Sequence, residues 1–108
     1  MYAQYLQLVY RKAKEIVEHV GANECAPLDL SFAISDMSTR VAKFDGLRQR
    51  GADEKGVKTL GKMLLRAGEA VVEAWQEMLQ QGVKLEDEAL DTYVEELKGR
   101  LEKMNGCV

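Results

Sequence analysis

Few side chains of this sequence are suited to chemistry, and most of those are carboxylates. His19 is the only histidine, and Glu15 precedes it by four residues on the same helical face, which predicts an ordinary Glu15–His19 pair. A di-iron bundle needs Glu-x-x-His on two helices, and zinc sites recruit more His or Cys than one. We therefore predict no metal or cofactor at His19, even with Glu73, Glu77 or Asp87 nearby.

The carboxylates do raise the alternative of a magnesium-dependent enzyme. The sequence contains Glu15-x-x-Glu18 and, far downstream, Glu88-x-x-Asp91, and carboxylate oxygens are the protein ligands that Mg²⁺ prefers. All-helical nucleotide pyrophosphohydrolases use such pairs, but with a doubled glutamate that is absent here and with a shorter separation. An enzyme of that kind, using the acidic end of the molecule, is an alternative, and no catalytic residue is predicted.

The two cysteines favour neither nucleophilic chemistry nor a disulfide. Cys25 has no base in its own segment, although His19 could approach it across a loop, and Cys107 is the next-to-last residue of the sequence given. In the bundle predicted below they fall at opposite ends, about 30 Å apart, whereas a disulfide needs α-carbons within about 7 Å. We expect reduced thiols and a cytoplasmic protein.

Hydrophobic periodicity predicts the elements that position these residues. Apolar side chains recur at steps of three and four in four segments, and no segment alternates with period two. The predicted helices cover about residues 2–20, 28–50, 54–81 and 86–104. Short connections favour antiparallel neighbours, so the prediction is an all-α, up-down-up-down four-helix bundle forming one domain, residues 1–108. A helical hairpin that completes its core by dimerising is the rival.

Composition supports a globular protein outside the membrane. The chain has 108 residues, of which 46% are hydrophobic and 31% charged, a balance unlike that of disordered chains. No apolar run approaches the roughly 18 residues that span a bilayer. The first residues also lack the basic and apolar regions of a secretory signal.

The third helix carries an unusual row of small residues. Three successive sevens, GKMLLRA, GEAVVEA and WQEMLQQ, begin with Gly61, Gly68 and Trp75. Each glycine costs about 1 kcal/mol relative to alanine in a helix, so the row predicts a close neighbour. That neighbour is a group of the same chain, which is the simplest explanation, a second chain, or a small ligand. The aromatic side chains considered within the chain are Tyr2, Tyr5 and Phe44. The predicted interface residues are Gly61, Leu65, Gly68, Val72 and Trp75.

Charge is segregated along the sequence. Residues 1–39 carry a net charge of −2, residues 40–66 carry +5 and residues 67–108 carry −6, giving −3 overall. The simplest interpretation of the basic segment is a solvated face, and the alternatives are a phosphate ligand, an acidic partner or the acidic end of another copy. The residues of this predicted patch are Arg48, Arg50, Lys55, Lys58, Lys62 and Arg66.

These patterns favour a protein-binding role over an enzymatic one. The helical faces carry surplus apolar residues, which often mark association sites, and homodimers are the commonest closed assembly. An accessory protein that binds nucleic acid through residues 40–66 is a second alternative, but the chain is acidic and the segment lacks interleaved aromatics. We therefore predict a small, cytoplasmic helical bundle that binds other protein, including a second copy of itself.

Overall fold

A computed structural model describes residues 2–20, 28–49, 51, 54–83 and 87–105 of the chain. They form four helices and no strand: α1 (Tyr2–Val20), α2 (Leu28–Gln49), α3 (Glu54–Gln80) and α4 (Glu88–Asn105). The predicted all-α fold is confirmed, and every predicted helix boundary lies within two residues of the observed one. No helix in these ranges is long and apolar enough to cross a membrane.

The helices pack as an antiparallel up-down-up-down four-helix bundle. Each helix contacts its two neighbours around the bundle, and α1 also contacts α3 across it, whereas α2 and α4 do not meet. The antiparallel sense of α1 and α4 follows from two contacts, Leu8 with Arg100 near one end and His19 with Asp87 near the other. Because only one of the two diagonal helix pairs, α1 and α3, is in contact, the cross-section of the bundle is flattened. The molecule measures 43 × 29 × 18 Å.

One hydrophobic core runs through the bundle between all four helices. Its largest fully buried side chains include Ile16 of α1, Met37 of α2, Leu64 of α3 and Leu97 of α4. The buried positions of α2 follow a regular four-three spacing at Leu30, Ile34, Met37, Val41 and Phe44. This spacing places one stripe of the helix inward, which is the arrangement that packs side chains of neighbouring antiparallel helices between one another.

The end of α3 has a hydrogen-bonded glycine turn. Gly82 adopts φ 78°, which a glycine accepts without the steric cost that a side chain would bring. Its N–H donates to the Leu79 carbonyl at 3.0 Å, and the Val83 N–H donates to the Met78 carbonyl at 3.1 Å. These bonds satisfy carbonyls that the helix itself leaves free. Both cysteines lie outside the described residues.

Candidate functional site

His19 is paired with the start of α4 and not with its own helix. Its Nε2 atom lies 2.7 Å from Oδ2 of Asp87, and its ring meets the Tyr93 ring edge-on, with centroids 5.6 Å apart. The predicted Glu15–His19 pair is wrong, because Glu15 turns toward Lys12 in the opposite direction along α1. The packing of α4 against α1 brings a carboxylate to His19 that sequence spacing could not place.

Asp87 also caps α4. Its Oδ1 atom accepts a hydrogen bond from the Leu90 backbone N–H at 3.1 Å, three residues into the helix, as a favourable N-cap does. The backbone hydrogen bond from Leu90, followed by the hydrogen bond to His19, lowers the pKa of the Asp87 carboxyl below its ordinary value. Both interactions favour the ionised carboxylate, so they stabilise the fold while Asp87 is charged.

Two substitutions should separate the two roles of Asp87. Asp87→Ala removes both the cap and the partner of His19 and should lower the free energy of unfolding by about 1 kcal/mol. Asp87→Asn keeps a capping oxygen but loses the charge, so it should cost less. The lowered pKa of Asp87 contributes stability that is present above its unfolded value and is lost as pH falls through the folded value. Urea denaturation between pH 7 and pH 3 should therefore show a shallower acid loss for Asp87→Asn than for the wild type.

Glu88→Ala is the matched control for these variants. Glu88 is exposed at the neighbouring position and has no side-chain partner among the described residues. If Glu88→Ala costs as much as Asp87→Ala, the effect belongs to helix-terminal charge in general and the capping role of Asp87 is refuted.

Lys12 is a buried cation between α1 and α4. Its residue surface is 4% exposed, and its Nζ atom donates to Oε2 of Glu15 and to Oε2 of Glu96, both at 2.7 Å. It also lies 4.8 Å from the centre of the Tyr93 ring. Burial acts to lower the pKa of the ammonium, but the hydrogen bonds to Glu15 and Glu96 outweigh it and raise the pKa above the ordinary lysine value.

These contacts use several carboxylates that were considered as metal ligands. Glu15 binds Lys12, Asp87 binds His19, and Asp91 accepts a hydrogen bond from Nε1 of Trp75 at 2.6 Å. Glu73 and Glu77 are exposed on α3. Across the described residues, no three His, Cys, Asp or Glu side chains come together in a way that could hold a metal ion. The contacts of His19 and Lys12 instead hold α4 against α1, and the hydrogen bond of Asp91 to Trp75 holds α4 against α3.

The glycine row of α3 packs inside the chain. A Cβ atom on Gly61 would lie 2.8 Å from Cδ2 of Leu6, and one on Gly68 would lie 3.6 Å from Cδ1 of Leu101. The nearest neighbours are thus leucines of α1 and α4 and not Tyr5 or Phe44, and the side chain of Tyr2 lies outside the described residues. The other predicted interface residues are placed as follows: Val72 and Trp75 are buried in the core, and Leu65 is half-buried against it. In this monomer the row faces inward, so a second chain would meet a different face of α3.

The described part of the predicted basic patch lies on the outside of α3. Lys55, Lys58, Lys62 and Arg66 are all exposed, while the side chains of Arg48 and Arg50 lie outside the described residues. At 100° per residue, this face continues toward the end of the helix with exposed glutamates. We define the outer stripe of α3 as Lys55, Lys58, Lys62, Arg66, Glu69, Glu73 and Glu77.

The outer stripe has an order that works against helix stability. Its first basic residue, Lys55, lies in the first turn of α3, where the helix dipole disfavours cations. Neighbours four apart carry the same charge in the steps Lys58–Lys62 and Lys62–Arg66, and again in Glu69–Glu73 and Glu73–Glu77. Such pairs destabilise a helix by a few tenths of a kcal/mol each. Within the described part of the chain, no residue of the stripe forms an ion pair that would offset this cost.

No protein family model, curated protein or solved structure matches this chain. Any function therefore has to be inferred from this chain's own residues.

Sequence reasoning did not find the contacts of Lys12, although the sequence contains a signal for them. Lys12 falls three residues after Val9 and four before Ile16, so a charged residue stands on the core-facing stripe of α1. A lysine at such a position requires a buried counter-charge.

Proposed function

We propose that this chain is a cytoplasmic protein that acts by binding other protein, including a second copy of itself. The observation that carries this proposal is the outer stripe of α3. It has seven exposed charged side chains in two blocks of opposite sign, and none of them has an ion-pair partner within the described residues. A partner with the opposite order of charge would relieve the repulsion inside each block.

A protein partner suits the stripe better than a polyanion does. Nucleic acid presents phosphates of one sign along its length, so it would be attracted by Lys58 and Lys62 and repelled by Glu69 and Glu73 on the same face. A protein surface can carry both signs in the required order. A second copy of this chain carries both signs of charge on the same face, because it is identical.

The oligomeric state in solution tests the proposal. Exposed ion pairs contribute only about 0.2–1 kcal/mol each, so we expect a weak dimer and not a permanent one. Light scattering coupled to size-exclusion chromatography, at low salt and over a wide range of loading concentrations, should give a mass that rises from the monomer toward twice its value. A mass that stays at the monomer value at every concentration refutes self-association.

A further inference from the structure

We infer that the second copy binds through its own outer stripe of α3, with the two α3 helices antiparallel about a two-fold axis level with the Ala67–Gly68 peptide. This inference rests on the proposed self-association and gives it a face and a register. The face is the outward side of α3, opposite the glycine row that packs on Leu6 and Leu101. It is therefore free of the contacts that hold the bundle together.

The register follows from the spacing of the charges along the helix. Lys62 and Glu73 are equally far from the proposed axis, and the same is true of the pairs Arg66–Glu69 and Lys58–Glu77. Because each residue advances a helix by about 1.5 Å, antiparallel copies bring Lys58, Lys62 and Arg66 each level with an acidic residue of the second copy. Two-fold symmetry repeats every pair. A parallel arrangement would instead set like charges side by side.

Neighbouring registers fit less well. Sliding one helix by four residues in either direction breaks all three of these pairs and brings only two other pairs of opposite charge level. Beside the charges, Met63 and Ala70 are exposed on the same helix and border the stripe, which adds apolar surface next to the axis. The resulting contact is self-complementary, as an interface between identical chains about a two-fold axis must be.

Such a contact should depend strongly on ionic strength. The screening length falls from about 10 Å in 0.1 M salt to about 3 Å in 1 M salt, and exposed charges interact only within that range. We expect the dissociation constant of the dimer to rise at least tenfold between low and high salt.

Charge reversal on one half of the stripe tests the register directly. Lys62→Glu/Arg66→Glu makes the four central positions of the stripe (62, 66, 69 and 73) all acidic, and Glu69→Lys/Glu73→Lys makes them all basic. Each double variant alone should dimerise at least tenfold more weakly than the wild type, because its copies repel. An equimolar mixture should form a heterodimer at least tenfold tighter than either variant with itself. Sedimentation velocity at low salt measures all three dissociation constants.

Matched reversals away from α3 separate the stripe from overall charge. Lys43→Glu/Lys103→Glu and Glu18→Lys/Glu95→Lys change the net charge by the same amounts at exposed positions on the other helices. Circular dichroism confirms that every variant is folded. A wild-type dimer that ignores the stripe reversals, or that responds equally to the controls, overturns the register while self-association stands. A wild-type chain that stays monomeric overturns self-association itself.

Discussion

Leu6→Ala should lower the free energy of unfolding by about 3 kcal/mol, and Gly61→Leu by about 2 kcal/mol, yet the two changes together should cost less than their sum. Leu6 is buried where α1 crosses α3, and its Cδ2 atom lies 2.8 Å from the position a Cβ on Gly61 would take. Truncating Leu6 leaves a cavity, whereas a leucine at 61 overpacks the crossing. In the double variant the new side chain enters the space that the old one vacated.

A double-mutant cycle measured by urea denaturation gives the coupling between the two sites. We expect the double variant to be at least 1 kcal/mol more stable than additivity predicts, since the residues share one volume. Gly99→Leu is the control, because nothing lies within 4 Å of a Cβ at that exposed helical position and the substitution should not destabilise. Additive costs at 6 and 61 would show that α1 and α3 do not meet there.

Lys12→Ala should lower the free energy of unfolding by about 2 kcal/mol, whereas Lys12→Met should stay within about 1 kcal/mol of the wild type. The alanine removes the buried aliphatic chain and the ammonium that lies over the Tyr93 ring, together with the hydrogen bonds to Glu15 and Glu96. Methionine keeps most of the packing volume. The two glutamates are about half exposed, so water can solvate them once the ammonium is gone.

Removing the partners instead, with Glu15→Gln/Glu96→Gln, should lower the free energy of unfolding more than Lys12→Met does, because it leaves a buried cation without a counter-charge. The double variant should also change how stability depends on pH in the alkaline range. The raised pKa of Lys12 contributes stability that is present below its unfolded value and is lost as pH rises through the folded value. Melting temperatures from pH 9 to pH 12 should fall less steeply for Lys12→Met than for the wild type. Equal slopes for both variants and the wild type would contradict this account.

The sequence predicts the bundle well because its helices are long and strongly periodic. The buried stripe of α2, from Leu30 to Phe44, repeats at a spacing that only a helix turns to one side. Glycines mark where helices stop, and at Gly82 the observed φ shows why a glycine is needed. Short connections then leave the antiparallel order as the default.

The partners of individual side chains are a different matter, because they depend on how far each helix is shifted along its neighbour. A Glu15–His19 pair is what the spacing on one helix predicts, but α4 is placed so that His19 pairs with Asp87 instead. The row of Gly61 and Gly68 correctly indicates close neighbours. Their identity, Leu6 and Leu101, depends on the shift of α1 and α4 against α3, which no local pattern encodes.

The single tryptophan is an intrinsic fluorescence probe of the bundle. Trp75 is 6% exposed and its indole N–H is bonded to Asp91, so its fluorescence senses whether α4 remains seated on α3. It lies on the opposite side of α3 from the outer stripe. Emission wavelength should therefore follow unfolding and remain unchanged by association, so that one optical signal separates the two equilibria without a label.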